Sequence, residues 1–281
     1  MIASVATSFR QAHQTIRNNL VLVWFPPIFG TAMSAVVLLL VVLLLQIASI
    51  DAGAALPDML TAGSAMLFVT ACTVMVLAGV NAGSMYWQAQ AVRGARVDTG
   101  HFLYGVRHLL VRVLAGSILS YLWYAAIIIG LGWPLLVDYA QLITMGETIT
   151  VLSNRQVQTL FMAHAWRVAG VGFFLIISTI LLSMWARAVA LGDLGLWPAM
   201  ARGVRFAAAN FMVVGGVFML QWSGNLLLSQ LLGDVLWLVT AIGTHVASVY
   251  VSVALMHYYD HRDASLVKRE PPLGRPGGLA I

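Results

Sequence analysis

Long apolar runs separated by short polar junctions set the pattern of the chain. Six stretches, about Leu20 to Gln46, Met59 to Gln88, Leu109 to Val137, Leu160 to Leu191, Ala207 to Leu232 and Val235 to Tyr258, qualify as membrane spans. Each meets the requirement of about 20 mostly apolar residues for crossing a hydrocarbon core of about 30 Å. Several run longer, which predicts tilt or protruding ends. Pro26 and Pro27 fall in the first turns of the first stretch and predict a kink there, or a true start near Ile28. The predicted fold class is an all-α integral membrane protein of six transmembrane helices with short interfacial amphipathic helices. Its expected division is an N-terminal amphipathic segment at 1–19, a six-span bundle at 20–258 and a basic tail at 259–281.

Polar junctions give the orientation. Arg10 and Arg17 precede the first span, Arg93, Arg96, Arg107 and Arg112 lie between spans two and three, and Arg187, Arg202 and Arg205 surround the turn between spans four and five. With Arg262, Lys268, Arg269 and Arg275 after span six, 13 of 15 basic residues fall on one side, and only Arg155 and Arg167 depart. Basic residues collect on the cytoplasmic side, so both termini are expected there, in a bacterial inner or other cell membrane. The first apolar run is too long and begins too late for a cleaved secretory signal. Pro, Gly and basic residues dominate 259–281, a composition that predicts disorder loosely held at anionic headgroups.

The junctions also repeat. Ser84, Met85 and Trp87 followed by Gly105, Val106 and Arg107 recur as Ser183, Met184 and Trp185 followed by Gly203, Val204 and Arg205, with the Trp and Gly-Val-Arg pairs 98 residues apart. A weaker third copy spans Phe9 to Asn19, where Ile16 and Arg17 precede the first span. The implied unit is an interfacial amphipathic helix followed by a two-span hairpin, used three times about an axis along the membrane normal. The competing reading is that membrane junctions share Trp and Arg because interfaces favour them.

Composition narrows the rest. Charged residues make up 9% of the 281 residues and hydrophobic ones 60%, with a mean hydropathy of +0.89, so the apolar surplus must face lipid. One cysteine, Cys72, provides neither a disulfide nor a thiolate cluster. Phosphate-loop, zinc-helix, dinucleotide and nucleophile-elbow motifs are absent from the sequence. No cofactor is called for, and nucleic acid is not an expected partner, because the arginines form no stripe.

The run AVALGDLGLWPAMARGVRFAAANF, Ala188 to Phe211, resembles the junction in the six-span membrane domain of some glycerophosphodiester phosphodiesterases and related bacterial integral membrane proteins. Asp193, Gly195, Ala199, Arg202, Arg205 and Asn210 carry the likeness, while the soluble catalytic domain with its metal-binding signatures is missing. The resemblance implies the architecture and an association with membrane lipids. It implies no catalysis.

Polar residues at membrane depth need partners and are the informative minority. Arg167 in span four lies about 10 Å inside the outer surface at 1.5 Å per residue. It is read as a buried ion pair, with Asp234 as one partner, or an arginine bonded to carbonyls, the alternative being a role in an anionic ligand site or ion pathway. Gln221, Asn225 and Ser229 share one face of span five, with His245 and His164 at matching depths, so one cluster open to the outer side is expected. Interhelical packing is the plainer role of these groups. Arg93, Arg96, Arg107, Arg202 and Arg205 are expected at lipid headgroups. His245 is a candidate cofactor ligand, and His257, Asp260 and His261 have metal-compatible spacing on one helix. Gly79 and Gly83 form a GxxxG close-approach site.

Three functions follow. The leading one is a non-enzymatic accessory, scaffold or assembly subunit that binds membrane lipids and other subunits. The second is a small permease or channel subunit lined by Arg167, Gln221, Asn225 and His245. The third is a cofactor-binding intramembrane protein.

Overall fold

A computed structural model describes residues 2–51, 59–145, 159, 161–232 and 237–263. Among these residues the chain forms α1 (Ile2–Asn18), α2 (Val21–Asp51), α3 (Met59–Val92), α4 (Thr99–Met145), α5 (Ala165–Leu182), α6 (Trp185–Gly192), α7 (Leu196–Ala209), α8 (Phe211–Leu232) and α9 (Trp237–Asp263). Among the described residues, six segments are long and apolar enough to cross a membrane, Val21–Leu39, Leu67–Val92, Thr99–Asp138, Ala165–Gly192, Phe211–Gln230 and Val239–Arg262. The protein is an all-α, multi-pass membrane protein.

The spans pack in chain order, α2 on α3, α3 on α4, α4 on α5, α5 on α8 and α8 on α9, and α9 returns to α2. The close of this circuit leaves α1, α6 and α7 to fill the arginine-rich end, called the basic end below. Nearly all fully buried side chains sit there: Trp87, Phe102, Leu109, Met184, Val189, Val214, Leu255 and Met256. Large apolar groups further along the spans, such as Leu67, Leu122, Phe173 and Leu226, are exposed and constitute the lipid-facing surface.

Small residues allow the tight packing. A β-carbon on Gly83 would lie 2.6 Å from the Phe102 ring, so the GxxxG of α3 serves the α3–α4 hairpin. A β-carbon on Gly105 would meet Tyr86 at 2.4 Å, and one on Gly203 would meet the Trp185 backbone at 2.5 Å. The two Gly-Val-Arg glycines therefore seat against the two Ser-Met-Trp junctions, which gives the sequence repeat a shared packing role.

The chain departs from the sequence expectations in three places. Span four breaks at Ser183 and Met184, where Ser183 Oγ donates to the Ile180 carbonyl at 2.7 Å and competes with the backbone ladder. The expected interfacial segment around Gly105 is instead continuous with span three, giving a 47-residue helix of about 70 Å at 1.5 Å per residue. The tail expected from residue 259 begins later, since α9 runs to Asp263 with Tyr258 and Tyr259 buried. Residues 264–281 lie outside the described residues, as do 52–58 and 146–158 of the expected outer loops.

Two junctions share one device. Asn19 and Asn210 each separate a short helix from the next span, and each donates from Nδ2 to the carbonyl four residues back, Thr15 at 3.1 Å and Phe206 at 2.9 Å. The Asn19 Oδ1 then accepts the Val97 N–H at 3.1 Å, and the Asn210 Oδ1 accepts the Tyr258 hydroxyl at 2.9 Å. Asn19 thus supports the weak third copy. The middle copy has no such asparagine and no break.

Gly203→Ala should destabilise the protein by about 1–3 kcal/mol, because its methyl group meets backbone that cannot rotate away. Gly130→Ala, whose β-carbon meets nothing within 4 Å, should leave stability almost unchanged. Thermal unfolding of both variants in detergent checks the contrast; equal midpoints would show that the α6–α7 contact is not close.

Candidate functional site

Four polar groupings carry the chemistry of the described residues. The first lies across the start of α2. Proline has no N–H, so Pro27 leaves the Val23 carbonyl without its helical donor. His245 Nε2 lies 2.9 Å from that oxygen. A carbonyl only accepts, so Nε2 carries the proton and donates. His245 thereby joins α9 to α2 and satisfies a group that hydrocarbon could not, and its Nε2 is committed to this bond. The helix begins at Val21 with both prolines inside it, rather than near Ile28.

The second grouping is at the end of the spans opposite the arginines. His164 Nε2 lies 2.7 Å from Asp138 Oδ2, and His164 Nδ1 lies 3.0 Å from Arg167 NH1. A guanidinium has no acceptor, so Nδ1 must accept and Nε2 must carry the proton that goes to Asp138. The guanidinium also stacks over Trp166, 4.8 Å from the ring centroid. Arg167 is thus held by its own helix, and Asp138 links α4 to that helix. Its other expected partner, Asp234, lies outside the described residues.

These bonds divide the cluster expected on span five. Gln221 Nε2 donates to Ser248 Oγ at 2.8 Å and joins α8 to α9, rather than bonding His245. Ser229 Oγ donates to the Leu226 carbonyl of its own helix at 2.8 Å, and Asn225 is half-buried on α8. The structure brings Arg167 and His164 together, and gives Gln221 and His245 separate partners. Equal depth was readable from the sequence; the rotation of each helix about its axis was not.

The third grouping is at the basic end, and it includes a residue that sequence reasoning counted only as a loop charge. Arg187 is buried, 6% exposed, with Gln88 and Ser252 buried beside it. Its guanidinium donates to the Ser183 carbonyl at 2.5 Å and to Ser252 Oγ at 3.4 Å, and Ser252 donates to Gln88 Oε1 at 2.7 Å. The Arg187 Nε has no hydrogen-bond partner, and no carboxylate pairs with this guanidinium among the described residues. A buried cation held by neutral acceptors ties α6, α9 and α3 together. The available signal was its setting: alanine on both sides, in an unbroken apolar helix turn.

Nearby, Asp193 ends α6 in a left-handed conformation, φ 45°, and its Oδ1 accepts from Arg112 at 2.6 Å and from His108 at 2.9 Å. Burial pushes this carboxyl up, but the hydrogen bonds from Arg112 and His108 outweigh it and hold it below the usual carboxylate range. Arg93 donates to the Leu191 carbonyl at the same helix end. Arg107 and Arg205 are exposed, and Arg202 is half-buried.

The fourth grouping is a cleft of about 380 Å³ between α1, the end of α3 and α9. Gln11, Gln14, Thr15, Asn18, Arg96 and His257 supply its polar wall, with no Asp or Glu in the lining. Thr15 Oγ1 lies 2.9 Å from His257 Nε2, so His257 is engaged with α1, not aligned with His261 for a metal. Ala12 and Ile16 on α1 pack against Val249, Val253 and Ala254 on α9 and hold this wall in place. Among the described residues no group of three or more His, Cys, Asp or Glu has metal-binding geometry. No protein-family model, curated protein or solved structure matches the chain.

Ser252→Ala should destabilise by about 1–3 kcal/mol, since it leaves the Arg187 and Gln88 groups short of a buried partner. Denaturation of the purified protein measures this, and an unchanged midpoint would remove Ser252 from the network. The Asp193 contribution has its own pH signature. A depressed carboxylate stabilises above its unfolded pKa and is lost as pH falls through the folded one, here below about 4. Asp193→Asn should therefore lower stability at pH 7, by an amount that shrinks as pH falls below about 4.

Proposed function

We propose that this protein is a non-enzymatic, multi-pass membrane scaffold that gathers anionic lipid headgroups, and other subunits of a membrane complex, at its basic end. That end faces the cytoplasm in this reading, since positively charged junctions are retained there. The observation that carries the proposal is the division of labour among polar groups. Several within the spans go to helix-to-helix bonds, His245 to Val23, Gln221 to Ser248, and Trp123 to Ser178 at 3.0 Å. The packed core, the described arginines other than Arg167 and the polar cleft gather at one end. The likeness of Ala188 to Phe211 to the junction of lipid-phosphodiesterase membrane domains agrees with a lipid-associated role without catalysis.

A transport reading draws on the Asp138–His164–Arg167 chain at the other end, which presents ionisable groups near a surface. The two readings separate in one experiment. For a scaffold, Arg167→Met and Gln221→Leu should lower thermal stability, the latter by only about 0.6 kcal/mol, and neither vesicles of wild type nor of variants should show solute flux. Flux by the wild type that is abolished in variants of unchanged stability would overturn the scaffold. Orientation is checked with Cys72→Ala carrying a new cysteine at Asp51 or at Lys268. An impermeant thiol reagent outside the cell should label the first and spare the second.

A further inference from the structure

We infer that the Asp138–His164–Arg167 chain is a one-proton switch, in which acid at the end of the spans opposite the arginines releases the Arg167 guanidinium while His164 keeps its hold on Asp138. The inference is independent of the scaffold reading, which asks of these groups only stability. Three observations carry it.

First, both nitrogens of the imidazole are engaged. His164 Nε2 lies 2.7 Å from Asp138 Oδ2, and Nδ1 lies 3.0 Å from the Arg167 guanidinium. A guanidinium carries no lone pair, so Nδ1 accepts and Nε2–H donates. The ring is therefore neutral, and its single lone pair is the one that Arg167 uses. A proton enters only there, so protonation of His164 and its bond to Arg167 exclude each other. The protonated ring turns an N–H toward a group that can only donate, whereas Nε2–H still donates to the carboxylate. His245 differs: its Nε2 donates to Val23, and a proton on its Nδ1 would displace nothing among the described residues.

Second, the charged groups facing the ring are one of each sign, Asp138 from α4 and Arg167 from α5. The helices packed against α5 are α4, α7 and α8. Otherwise α4 places His101, Arg107, His108 and Arg112 at the basic end, α7 places Arg202 and Arg205 there, and α8 carries no charged side chain. Protonation thus takes the trio from electrically neutral to singly positive and sets two cations side by side.

Third, the geometry confines the change to side chains. The Arg167 and Val168 N–H groups both bond the His164 carbonyl, at 2.9 and 3.0 Å, so the backbone keeps ring and guanidinium on one turn. The imidazole is sheltered, 12% exposed against 46% for Asp138. What the proton frees is a half-buried guanidinium whose remaining side-chain contact among the described residues is the Trp166 ring, at 4.8 Å. An indole face attracts a cation without neutralising it. Acid therefore turns a self-contained chain into a free positive charge near this surface.

The test compares the cost of Arg167→Met, read as the fall in melting temperature of the full chain in non-ionic detergent, at about pH 8 and about pH 5, the interval over which histidines change charge. With His164 present the cost should shrink about twofold or more in acid, because the bond that the substitution removes is already broken there. In His164→Gln the cost should be the same at both, since an amide donates from one atom and accepts at another without titrating. Other titrating groups act on both members of each comparison and cancel. No cost at the higher pH, a cost that acid leaves unchanged with His164 present, or one that shrinks equally in both backgrounds would overturn the switch. The ring is also read directly in nitrogen-15 spectra of histidine-labelled wild type, its signals being those missing from His164→Gln. The neutral Nε2–H tautomer is expected at the higher pH and the imidazolium at the lower. An Nδ1–H tautomer, a ring charged at the higher pH or a ring still neutral at the lower would refute the proposal, even if Arg167→Met does not fold.

Discussion

Hydrocarbon offers no hydrogen bonds, and that constraint organises this protein more than any single contact. A prolyl residue early in α2 orphans a carbonyl, and the chain answers with an imidazole from its last helix. His245 and Val23 stand near opposite ends of the sequence, so this one bond at 2.9 Å closes the circuit of spans. The same rule explains why Gln221 finds Ser248 and why Trp123 finds Ser178.

The rule is also visible where it is strained. Arg187 keeps its charge in the packed end on neutral oxygens, and Ser252 relays that demand to Gln88. A guanidinium bound in this way gains less from its neighbours than one facing a carboxylate, and it compensates by joining three helices at once. Removing a partner from such a network is worse than never having had one, because the buried group stays behind. Packing and polarity therefore locate the rigid part of the molecule in one place, beside the cleft.

Much of the architecture was legible in the sequence. Apolar runs of sufficient length specify spans with little ambiguity, and arginines at their ends order them. The repeated Ser-Met-Trp and Gly-Val-Arg junctions also had a physical meaning, since each glycine must leave room for the opposing junction. The pairing of polar groups was not legible. Depth along a helix follows from counting, but which way a side chain faces depends on how neighbouring helices turn, and that divided Gln221 from His245. Arg187 was hidden for a related reason. Its charge made it look like a loop residue, whereas the break at Ser183 carries the chain inward at that point. Residues 259–263, expected in the tail, are helical because Tyr258 and Tyr259 pack as core, which composition after them obscures.

The two asparagine junctions differ from the uninterrupted helix between them in mechanical kind. At Asn19 and Asn210 the backbone ladder is interrupted, so bending of the surface segment is taken up locally, as in a hinged strut. Thr99–Met145 has no such joint at the membrane surface, only one shaft. Its inner end carries His108 and Arg112, which hold Asp193, and Pro134 removes one ladder bond further along it. Of the three junctions, the middle one is therefore the one where the span and the segment before it form a single continuous helix.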